Sequence, residues 1–77
     1  MLTILRNDSF YNLYFNGLLK YQVKAIEFFH QPQECTYHIS GTSVLFEWPG
    51  YNPMTPERRL IIFDENGCVT YDGRPNF

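Results

Sequence analysis

The sequence predicts an α+β domain that is predominantly antiparallel β: a meander of hairpins forming a curled sheet or small barrel, with one short helix over 24–31. Three observations carry that expectation. Residues 10–23, FYNLYFNGLLKYQV, are two apolar runs around Asn16-Gly17, and residues 59–71 use the same turn chemistry around Asn66-Gly67. Asn-Gly is the strongest short hairpin signal, because a type I′ turn needs positive φ at both central residues and its twist matches the flanking strands. Second, Cys35, Tyr37 and Ile39 alternate with Thr36 and His38, and Val44, Phe46 and Trp48 with Leu45 and Glu47. That is the period of a strand with one buried face. Third, the runs are separated by polar clusters such as Arg6-Asn7-Asp8-Ser9 and Ser40-Gly41-Thr42-Ser43, the residues that turns select.

Taken in order, residues 2–5 form a short strand that pairs through the turn at 6–9 with 10–15. Within 10–15, Phe10 and Tyr14 point one way and Tyr11, Leu13 and Phe15 the other. A strand apolar on both faces is covered on both, by its own fold or by a partner. After Gly17, Leu19, Tyr21 and Val23 alternate with Lys20 and Gln22. Residues 23–31 admit two readings. A helix gains the Lys24 to Glu27 spacing and a stop at Pro32; a strand gains β-branched and aromatic content and a short connection over 31–34. The reading adopted is strand through Val23, then a helix of about two turns. Hairpins at 35–48 and 59–71 complete the meander, separated by residues 49–56, whose three prolines forbid a regular ladder. The tail from Asp72 reads as turn.

Seventy-seven residues, 44% of them hydrophobic, are expected to make one domain over 1–77, with stability at the low end, roughly 5 kcal/mol. The net charge of −2 comes from scattered acids. It offers neither the basic surplus of a nucleic-acid binder nor the dense carboxylates of a mimic. Two cysteines, Cys35 and Cys68, are too few for a disulfide scaffold. No basic-then-apolar leader precedes the first polar cluster and no run is long enough to span a membrane. A soluble, cytoplasmic protein with no membrane contact is expected.

His30, Cys35, His38 and Cys68 could supply zinc ligands, but on a strand Cys35 and His38 face opposite ways, so no metal site is expected. No histidine or helix N-terminus sits beside either cysteine in the sequence to activate it, Asp64-Glu65 falls in a turn, and no Gly-rich loop opens a helix. The expectation is a chain with no enzymatic activity, no catalytic residues and no cofactor.

Tyr11, Tyr14, Tyr21 and Tyr37 on a sheet, with Arg6, Arg58, Arg59 and Arg74, suggest a single-stranded nucleic-acid module as the alternative function. The negative net charge disfavours it. The favoured reading is a non-enzymatic protein-binding module, a small regulator or inhibitor of a larger protein or nucleoprotein complex. A virus-encoded anti-defence protein is one example, by analogy of size and lack of catalytic chemistry alone. Seven Phe, six Tyr and one Trp exceed what so small a core readily buries, and such side chains dominate interfaces. Trp48, Tyr51, Met54, Arg58 and Arg59 around the proline-rich loop are the expected contacts, with Tyr11 and Tyr14 next; exposed sheet edges would allow a homodimer.

Overall fold

Each run that alternates in the sequence becomes a strand, and the polar clusters around 16–17, 41–42 and 64–67 become turns. The computed structural model of the protein describes residues 1–7, 10–24, 35–48 and 56–75. The strands are β1 (Leu2–Arg6), β2 (Phe10–Phe15), β3 (Leu18–Lys24), β4 (Thr36–Ser40), β5 (Ser43–Trp48), β6 (Glu57–Phe63) and β7 (Val69–Gly73). They pair as two antiparallel meanders, a three-stranded sheet β1-β2-β3 and a four-stranded sheet β4-β5-β6-β7. Among the described residues the pairings define two sheets rather than one ladder closed around a barrel. The helix expected over 24–31 lies outside the described residues except for Lys24, which is the last residue of β3.

The turns follow their residues. Asn16 (φ 52°) and Gly17 (φ 84°) take the left-handed conformations of the β2–β3 hairpin, and Asn16 also accepts a bond from the Met1 ammonium. Asn7 closes the β1–β2 turn, its side-chain oxygen accepting from Phe10 N at 2.7 Å. In the β6–β7 turn, Asp64 Oδ1 accepts from the backbone N–H groups of Asn66 (2.8 Å) and Cys68 (2.9 Å), an Asp side chain standing in for a backbone turn.

One apolar layer joins the sheets. Leu2, Ile4, Tyr11, Leu13, Phe15 and Val23 from the first meet Val44, Phe46, Trp48, Ile61 and Phe63 from the second. The Tyr11 ring packs edge-on against Phe46 at 5.1 Å between centroids, and Phe15 stacks on Phe63 at 6.2 Å, the geometries aromatic quadrupoles favour. The alternations in β2, β4 and β5 therefore orient as the sequence predicts.

Two irregularities change the faces. In β3 the expected alternation of Leu19 with Tyr21 and Val23 is broken. Leu13 pairs with Tyr21 but Tyr14 with Leu19, so a bulge at Lys20 moves Leu19 to the outer face. In β7, Phe63 pairs with Val69 but Ile62 with Tyr71. This sends Tyr71 outward and Asp72 inward, and Asp72 and Gly73 belong to the strand rather than to a turn-rich tail.

Leu13 and Ile61 have no exposed surface, so Leu13→Ala or Ile61→Ala is expected to cost about 2–5 kcal/mol in urea unfolding. Gly67→Ala should be worse than Gly41→Ala. Both positions have positive φ, but at Gly67 a Cβ would lie 3.1–3.2 Å from the Phe15 ring and the Lys20 stem, whereas at Gly41 it would meet nothing within 4 Å.

Candidate functional site

The inward turn of Asp72 builds the main polar cluster between the sheets. Arg59 faces inward opposite Phe46, and Asp72 opposite Ile61. Arg59 Nε and Nη2 donate to the two Asp72 carboxylate oxygens at 2.7 Å each. From the other sheet, the Tyr21 hydroxyl donates to Asp72 Oδ2 at 2.5 Å. A fork of two parallel bonds from arginine is the strongest common form of ion pair, and these side chains are only 24% and 20% exposed. The Arg59 hydrogen bonds, seconded by Tyr21, hold the Asp72 carboxyl below its usual range against the opposing effect of burial. The Tyr21 hydroxyl is pushed up, first by its bond to Asp72 and then by burial. An acid held charged and a phenol held neutral clasp the two sheets; neither is poised to transfer a proton at neutral pH.

A second polar contact lies at the other side of the core. Burial, then a hydrogen bond to Cys35, pushes the Tyr11 hydroxyl up to about 12. Burial raises the Cys35 thiol, opposed by the bond from Tyr11, and its Sγ lies 3.7 Å from the Thr36 carbonyl. Cys35 and Cys68 are both free thiols. A raised thiol pKa favours the protonated state, opposite to what a nucleophile needs. Cys35 packs on the core, whereas His38 shares the outer face with Leu45, the separation predicted by alternation. No group of three or more metal-ligating side chains occurs among the described residues, and no helix there is long and apolar enough to cross a membrane.

Among the described residues, those expected at an interface are placed apart. Tyr11 (2% exposed) and Trp48 (8%) are core side chains. Arg59 belongs to the clasp, and Arg58 pairs with Glu47 at 2.7 Å on the outer face of the four-stranded sheet. Tyr14 is half-buried on the outer face of the three-stranded sheet. Tyr51 and Met54 lie outside the described residues. The arginines considered for phosphate contacts are engaged within the chain: Arg74 with Glu57 at 3.4 Å, Arg58 and Arg59 as above, and Arg6 over the Tyr11 ring at 5.5 Å.

What the sequence reading missed is the apolar character of the first sheet's outer face. Tyr14 sits there between Thr3 and Leu19, with Leu5 opposite Asn12 on the same side. Leu5 is 62% and Leu19 49% exposed. Leu5 was legible, since it alternates with inward Leu2 and Ile4; Leu19 was not, because no residue in β3 announces the bulge. The chain matches no protein-family model, no curated protein and no solved structure.

The pH dependence of the polar contacts has a definite sign. A depressed carboxylate stabilises the fold fully above its unfolded pKa, about 4 for Asp. That contribution disappears as pH falls through the lower folded value. Asp72→Asn should cost about 1–3 kcal/mol at neutral pH and flatten the acid limb of a stability-against-pH curve. Tyr11, raised when folded, stabilises fully below about 10 and loses that contribution as pH rises toward 12; Tyr11→Phe should shallow the alkaline limb, read by denaturant unfolding across pH.

Proposed function

We propose that this protein is a non-enzymatic protein-binding module, a small regulator or inhibitor, that docks on a larger protein through the outer face of its three-stranded sheet. The supporting observation is β2, whose inner residues Tyr11, Leu13 and Phe15 build the core while its outer residues Phe10 and Tyr14 lie beside the exposed leucines 5 and 19. An apolar sheet face flanked by open leucines gains most from being covered by a partner surface. Asn12 and Gln22, hydrogen-bonded to each other at 2.9 Å on that face, supply a preorganised polar element, and Lys24 lies beside Phe10. The intramolecular pairing of the arginines favours this reading over nucleic-acid binding, which needs cations directed at phosphates.

Leu5→Lys with Leu19→Lys replaces two exposed side chains and should leave the melting temperature within about 2 °C of the parent. Affinity capture should recover a partner with the parent protein after nuclease treatment and lose it with the double variant. Loss on nuclease alone would transfer the reading to nucleic acid; undiminished capture by the variant would remove this face from the interface.

A further inference from the structure

The four strand edges of the two sheets are not equally protected. β1 carries Arg6; β3 carries Lys20, Lys24 and a bulge; β7 carries Asp72 and a bulge. Charges and bulges are the devices by which natural edges resist pairing. β4, Thr36-Tyr37-His38-Ile39-Ser40, has no acidic residue, Lys, Arg or Pro and keeps unbroken register with β5, and all five of its residues are exposed. Among the described residues it is the edge strand with no such charge or bulge.

The backbone parity of β4 can be read from its neighbours. Phe63 N donates to the Thr42 carbonyl at 2.8 Å, so the hydrogen-bonded position toward β6 is Thr42 and the backbone groups of Ser43 turn toward β4. Ser43 is opposite Ser40. Because bonded and non-bonded positions alternate along an antiparallel ladder, Ser40, His38 and Thr36 bond to β5. The N–H and C=O groups of Tyr37 and Ile39 point away from the sheet.

The side chains of those two residues face the apolar layer, opposite Phe46 and Val44. They stay 41% and 42% exposed, although the Tyr37 ring meets Tyr11 of the three-stranded sheet edge-on at 6.2 Å. We propose that the protein forms a homodimer in which β4 pairs antiparallel with β4 of a second copy about a twofold axis at His38. The two four-stranded sheets then become one continuous sheet.

The strand is self-complementary in this register. Tyr37 falls opposite Ile39 of the second copy, both with backbone groups directed across the axis, so two bonded residue pairs form. An aromatic residue opposite a β-branched one is a favourable cross-strand pair. Thr36 falls opposite Ser40, and the two His38 residues meet at the non-bonded central position on the outer face. Such an interface is isologous and closes at two copies. A second copy fits this edge because Thr36–Ser40 contains no Asp, Glu, Lys or Arg to meet its own like charge across the axis, and each Tyr37 meets an Ile39. One strand pair buries less than the roughly 1,000 Å² of a stable complex, so association is weak and concentration-dependent. The interface uses neither Leu5 nor Leu19 and does not rest on the partner-binding reading.

Sedimentation velocity over a rising concentration series should show the 9.2 kDa chain moving toward a dimer. Ile39→Pro removes only an outward N–H, and Ile39→Lys adds a charge at a half-open position; each should shift the association to at least about 10-fold higher concentration with the melting curve retained. In a Cys68→Ser background, His38→Cys places two thiols at Cα positions about 4.5 Å apart, within disulfide range. Mild oxidation should give a covalent dimer that the Cys68→Ser protein alone does not. A chain that stays monomeric throughout the series, or a dimer indifferent to both Ile39 variants, would overturn the proposal. An indifferent dimer lost on Leu5→Lys with Leu19→Lys would assign self-association to the outer face instead.

Discussion

Neither sheet is viable without the apolar layer between them. A three-stranded meander of short strands has one face to bury and nothing within itself to bury it against. Here Tyr11, Leu13 and Phe15 of β2 lie over Phe46, Ile61 and Phe63 of the other sheet, and the aromatic pairs lock the relative position of the two. The polar contacts are arranged around this layer. Tyr21 reaches over the edge of Phe63, against whose ring it packs at 6.4 Å, to bond Asp72. Cys35 and Tyr11 meet at the opposite side. Hydrophobic burial supplies the driving force, and the Arg59–Asp72–Tyr21 clasp specifies how the faces align.

The clasp shows why position matters more than charge count. The Arg74–Glu57 pair, at 3.4 Å with Arg74 83% exposed, belongs to the surface class that contributes about 0–1 kcal/mol. Arg59 and Asp72 form the same kind of pair, but two hydrogen bonds and a tyrosine from the other sheet join them. The connection exists because the β7 bulge turns Asp72 inward. Without that one-residue irregularity Asp72 would lie on the outer face opposite Leu60.

Much of the fold was legible in the residues. Asn16-Gly17 predicts its turn because few residues tolerate φ of 52° and 84°, and the alternations in 10–15, 35–39 and 44–48 follow from the strand period. Tyr51 and Met54 were proposed from the loop over 49–56, and they lie outside the described residues. The other expected contacts show where reading fails. Tyr11 and Trp48 look like interface residues by type, yet type does not distinguish a core aromatic from an exposed one. Arg59 looked like a surface cation, and its inward direction depends on the register with β5.

The sequence by itself determined which residues share a strand face and where the chain turns, because both are governed by local backbone geometry. Only the tertiary structure decided which shared faces are covered. That outcome depends on two bulges with no sequence signature and on how a three-stranded sheet lies over a four-stranded one, with Tyr37 and Ile39 at the β4 edge left 41% and 42% exposed. Coverage is a property of the pair of sheets, and no single strand encodes it.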